Sequence, residues 1–177
     1  GFFAGSAATL LDCTFSGNAA QAGAGLYVYD SALQIQGGTI QGNTAIDGSA
    51  ATTGAGIHAE SGSLTLTGVV VSDNLGADEG GGLYVRTASV DGSDLVFASN
   101  AASTAGGNLR LAGGSVVLDA STIHSGTAPF GAGIHASGGA TFTLQACLLD
   151  GNVAAFLGGA VYAQGASASF SNVTWNA

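Results

Sequence analysis

The amino-acid sequence predicts an all-β chain wound as a parallel β-helix, a β-solenoid of about seven coils with three short strands in each. Three observations predict it. First, a glycine phrase recurs: Gly23-Ala24-Gly25-Leu26-Tyr27, Gly54-Ala55-Gly56-Ile57-His58, Gly80-Gly81-Gly82-Leu83-Tyr84, Gly106-Gly107-Asn108-Leu109-Arg110, Gly131-Ala132-Gly133-Ile134-His135 and Gly158-Gly159-Ala160-Val161-Tyr162. Counting Phe2 as the copy already under way at the start, its apolar residue repeats at spacings of 24, 31, 26, 26, 25 and 27 residues. Second, Val, Ile, Leu, Thr and Phe sit in short runs that alternate with period two and are broken by Gly, Asn, Asp and Ser, which is the pattern of strands and turns. Third, 31 Gly, a single Pro and a 7% charged fraction leave little room for helix interiors or for an ordinary charged surface.

Each coil divides into three runs. In the first, the inward residues are Leu26 and Val28, Ile57 and Ala59, Leu83 and Val85, Leu109 and Leu111, Ile134 and Ala136, and Val161 and Ala163. In the second they are Leu33 and Ile35, Leu64 and Leu66, Val116 and Leu118, Phe142 and Leu144, and Ala168 and Phe170. In the third they are Cys13 and Phe15, Val69 and Val71, Leu95 and Phe97, Cys147 and Leu149, and Val173 and Trp175. Like lies on like at equivalent positions, so the coils stack into one apolar column and no coil folds alone. The glycine pairs before the first run suit a tight bend where backbones approach closely.

The third run closes on a second phrase ending in asparagine, at Asn18, Asn43, Asn74, Asn100 and Asn152, with Gly126 in the place of Asn in one copy. Asparagine tolerates a left-handed turn, and stacked amides can bond from coil to coil as a ladder. The segments after it vary most, the longest being Thr44 to Thr53, and insertions on a solenoid gather on one face.

Function is narrowed first by charge. Two Arg, no Lys and eleven carboxylates give a formal net charge of −9, which excludes phosphate neutralisation and so nucleic acid as a partner. No run of 18 apolar residues exists to insert in a membrane. Low charge with abundant Gly, Ser, Thr and Asn fits an extracellular or cell-surface setting. The chain starts in mid-repeat without Met and reads as a single domain over residues 1–177, open at both ends, as a processed or excised piece would be. Cys13 and Cys147 hold equivalent positions five coils apart, about 24 Å, too far for a disulfide.

The two phrases together resemble the repeat of the polymorphic outer membrane proteins, which pairs GGA plus an aliphatic residue with FxxN. Gly158 to Val161 matches the first in full, and Phe15 to Asn18 and Phe97 to Asn100 match the second. The resemblance spans nearly the whole chain. It implies a right-handed parallel β-helix of the pectate-lyase-like kind, exported to the cell surface, in the manner of an autotransporter passenger with adhesive roles.

Several candidate sites are legible. The outward residues of the first run form a stripe, Phe3, Tyr27, His58, Tyr84, Arg110, His135 and Tyr162, suited to shielding the sheet, to lateral association or to stacking against glycans. Beside it Tyr29, Glu60 and Arg86 should be neighbours, with Glu60 and Arg86 an exposed ion pair on adjacent coils. Catalysis on polysaccharides needs clustered carboxylates, whereas here they are scattered, so no enzyme and no cofactor is expected. An acidic loop at Asp73, Asp78 and Glu79, with Asp91 and Asp94 one coil on, is a candidate calcium position, but it lacks an EF-hand pattern. His58, His124 and His135 lie too far apart to share a metal. Asn172 begins the one glycosylation sequon. The expected role is structural or adhesive, with self-association end to end and glycans as the alternative partner.

Overall fold

A computed structural model of the chain describes residues 1–46 and 51–176. The strands are all paired in parallel, coil on coil, and the architecture is a β-solenoid of about seven turns, with no helix among the described residues. The first and second runs belong to one 12-stranded sheet, and in two coils a single strand, Leu26–Gln36 or Ile57–Thr67, runs through both. The third runs form a 7-stranded sheet from Thr14–Ser16 to Thr174–Trp175.

Three strands per coil is an undercount. The segments after the asparagine are strands too: Ala77–Glu79, Ala102–Ala105, Thr127–Phe130 and Val153–Leu157 make a 4-stranded sheet, and Ala19–Ala20 pairs with Thr44–Ala45. These segments bury only small residues such as Ala77, Ala102, Ala105 and Ala128, so they carry no bulky alternation. Of the long insertion predicted at Thr44 to Thr53, residues 47–50 lie outside the described residues.

The corners share one device. A residue with left-handed backbone recurs at equivalent positions, for example Asp12, Gly37, Gly68, Asp94, Ala120, Ala146 and Asn172 between the second and third runs. At the corner before the ladder the left-handed residue is Gly17, Gly42, Asp73, Ser99, Ser125 or Gly151, the one preceding the asparagine position. The ladder asparagines therefore do not supply the left-handed turn expected of them; their amides are engaged along the axis instead. At Gly54 (φ 58°) the conformation is matched by crowding, since a Cβ there would lie 2.2 Å from the Ile57 carbonyl oxygen.

The core is the predicted apolar column, in which Leu26, Ile57, Leu83, Leu66, Phe97, Leu109, Leu118 and Leu149 are fully buried. Val90 also faces in, while its partner position is Gly92, whose missing side chain makes room for Leu95 and Leu118. The terminal coils leave the column partly bare: Phe3, Leu10 and Phe15 are only half-buried at one end, and Phe170 and Trp175 are exposed at the other.

Candidate functional site

The stripe forms, with one correction at its start. Phe2 pairs with Tyr27 and Phe3 with Val28, so Phe2 is the outward residue and Phe3 packs against the core. Two adjacent Phe made the frame ambiguous, and the backbone bond from Tyr27 N–H to the Gly1 carbonyl fixes it. Rings then stack along the axis: Phe2 on Tyr27 at 5.5 Å, Tyr27 on His58 at 4.5 Å and only 8° from parallel, and His58 on Tyr84 at 4.9 Å. Arg110 interrupts the series, and His135 against Tyr162 at 5.0 Å resumes it.

The middle of the stripe is not open to solvent. His58, Tyr84 and Arg110 are buried. The fourth run, missed at the sequence level, supplies the cover. Thr53 Oγ1 sits 2.8 Å from His58 Nδ1, Glu79 Oε2 lies 3.1 Å from Arg110 Nε, and Phe130 packs on Tyr162. Arg110 also donates from Nη1 to the Leu111 carbonyl. Burial, with the Arg110 charge adding to it, pushes His135 down to about 4. Burial lowers His58 as well, against an opposing pull from Glu60. Both rings are therefore neutral at neutral pH.

Glu60 is a hub. Tyr29 and Arg86 flank it in register. Its Oε1 lies 3.6 Å from Arg86 Nη1, while its Oε2 accepts from Tyr27 Oη at 3.4 Å and faces His58 Nε2 at 3.5 Å. The predicted Glu60–Arg86 pair is thus present, as one arm of a four-residue network.

The asparagine ladder also forms, and it includes a member the phrase does not reveal. Asn18 donates from Nδ2 to Asn43 Oδ1, Asn43 to Asn74, Asn74 to Asn100, Asn100 to Asn108 and Asn108 to Asn152, at 2.8–3.0 Å. Asn108 comes from the glycine phrase of the coil whose ladder position is Gly126. In the other coils the order is reversed: Gly25, Gly56, Gly82 and Gly133 lie beneath the amides of Asn43, Asn74, Asn100 and Asn152. Gly and Asn have changed places within one coil, and the ladder continues. The sequence holds the signal, since one phrase gains an Asn where the other loses it.

The acidic residues do not converge. Asp78 is held by Thr52 N–H and Oγ1 and by Ser103 Oγ, which keep its carboxyl below the usual range. Glu79 is turned to Arg110, and Asp73 occupies a left-handed corner. Among the described residues no three His, Cys, Asp or Glu side chains group around a metal position. His124 instead meets Ser125 Oγ at 3.1 Å on the surface. Cys13 and Cys147 are both free, and burial raises the Cys147 thiol. Asn172 is exposed at its left-handed corner.

A family model described as a right-handed β-helix region matches residues 2–175. The chain belongs to the right-handed β-helix family. The handedness implied by the repeat and the pectate-lyase-like winding agree with that membership. The chain matches none of the curated proteins and none of the solved structures. Among the described residues of this β-helix, no helix is long and apolar enough to cross a membrane.

Proposed function

We propose that this β-helix is a non-catalytic rod segment of an extracellular or cell-surface protein, acting through its length and its side faces. The observation that carries the reading is the unbroken parallel register, doubled by the asparagine ladder. The long sheet pairs from Phe2 to Val161 without an antiparallel strand, and the amides of Asn43, Asn74, Asn100 and Asn108 are fully buried along it. Such a stack transmits load along its axis, and its centre is filled by packed apolar side chains. The resemblance to the outer-membrane repeat supports surface display. The separation of the carboxylates supports a role without catalysis.

The bare terminal stacks fit a further coil, whether of the same chain or of a second copy. If copies join end to end, the contact is heterologous and propagates as a filament. Electron microscopy of the chain over a range of concentrations tests this. Filaments with an axial repeat of about 34 Å are expected from seven coils at the strand spacing. Short rods at every concentration would remove self-assembly and leave the segment reading. A second reading, glycan contact, is favoured by Tyr29, a 46% exposed ring two coils along the same face from the exposed Arg86, with Glu60 between them. A glycan array with the chain and with Tyr29→Ala tests it: a hit lost in the variant supports contact, and no hit removes it.

A further inference from the structure

The fourth sheet carries bulk that its own fold does not use. Its inward positions are alanines, among them Ala45, Ala77, Ala102 and Ala128. Its outward column follows the ladder directly, as Thr44, Leu75, Ala101, Thr127 and Val153, stacked coil on coil. Leu75 is 48% exposed and Val153 65%, and neither packs with a core cluster. Large apolar side chains held out in solvent by a rigid sheet mark a contact surface. Between these two the column falls to Ala101 and Thr127, and a hollow of about 340 Å³ opens among Ser103, Thr127, Pro129 and Ala155.

We propose that this face pairs with the same face of a second copy, the two rods lying side by side with their coil order reversed. The column is self-complementary about Ala101. A two-fold axis along the strand direction over Ala101 sets Leu75 of each copy into the hollow at Thr127 of the other, and Val153 against Thr44. Each bulky residue then meets a small one. The contact is isologous, so it closes at a dimer, unlike an end-to-end joint, and it stands without that joint. Charge favours this face over the others. The chain carries a net −9, and copies repel wherever their carboxylates meet. Among the described residues of the fourth sheet, the carboxylates are Asp78, already held by Thr52 and Ser103, and Glu79, turned to Arg110. Reversal of the coils sets Asp78 against the uncharged strand Thr127–Phe130 instead of against its own copy. The outward side of the second run, by contrast, exposes Asp91 and Asp119 on adjacent coils. The fourth sheet is small, so the pairing is at the weak, concentration-dependent end of specific interfaces.

The test is sedimentation velocity of the chain at concentrations up to the millimolar range, where a dimer is expected. Leu75→Asp drives an unpaired charge into the hollow and Thr127→Arg fills it, and each should weaken dimerisation by at least about tenfold. Val117→Asp, at a comparably exposed apolar position on the second run, should leave it unchanged. Trp175→Asp, at the bare end of the core column, should also leave it unchanged, which separates side pairing from end-to-end joining. Leu75 and Thr127 are both exposed in the single chain, and circular dichroism checks that the variants fold. A monomer at every concentration overturns the proposal, as does association that survives Leu75→Asp and Thr127→Arg or is lost in Trp175→Asp.

Discussion

Single residues in this chain are judged by what stands one coil away. Asn108 and Gly126 show it most clearly. Asn108→Gly breaks the ladder between Asn100 and Asn152 and leaves buried amide groups unpaired, at a cost of about 1–3 kcal/mol. Gly126→Asn places a Cβ 2.5 Å from the Asn108 amide and 2.4 Å from the Ala132 carbonyl, and overpacking costs about 1–3 kcal/mol. The double variant removes the first clash and restores an amide to the ladder. Chemical denaturation of the four proteins should therefore show the double recovering part of the summed loss, with a favourable coupling in the roughly 0.5–3 kcal/mol range of contacting residues. His135 sets a second dependence. Its folded pKa, about 4, lies below the ordinary 6.5 of the unfolded ring. The unfolded state then binds the extra proton first, so the contribution is complete above about 6.5 and declines as pH falls toward 4. Thermal melts across that window should show a shallower acid decline for His135→Gln than for the unaltered chain. His58 adds a decline in the same direction.

At the scale of strand and corner, alternation decides the sheets and one left-handed residue decides each bend. Where that residue is Ala146, at φ 50°, the side chain is a liability. Ala146→Gly relieves about 1–2 kcal/mol of backbone strain against about 0.5–1 kcal/mol of added chain entropy, so urea denaturation should show a gain of up to about 1.5 kcal/mol. The legibility of the elements follows from side-chain size. Leu64 and Leu66, or Phe142 and Leu144, announce a buried strand because two large residues flank a polar one. Ala102–Ala105 does not, because its inward positions are alanines that any turn also accepts. From Tyr27 onward the stripe is legible as a column because each member closes the glycine phrase, whereas the phrase is cut short before Phe2 and Phe3 and leaves the frame there open. Its cover was not, because Thr53, Glu79 and Phe130 belong to the run that looked like loop. The Glu60 network was half legible: periodicity put Tyr29, Glu60 and Arg86 together, but only the register showed Tyr27 and His58 meeting on the same carboxylate.

The whole molecule is a repetition with little charge, and its two cations show how the repetition treats exceptions. Arg110 is drawn under the fourth sheet to Glu79, while Arg86 stands out with a side chain 59% exposed. The chain has no lysine. A protease that cuts after basic residues thus finds one accessible target, the Arg86–Thr87 bond at the corner between Leu83–Arg86 and Ser89–Ser93. Strands on both sides of that corner remain paired to the coils above and below. Limited trypsin digestion should give two fragments on a denaturing gel and one particle on a sizing column. Survival of a nicked chain would mark a molecule that holds together sideways, through its ladders, more than lengthwise, through its peptide bonds.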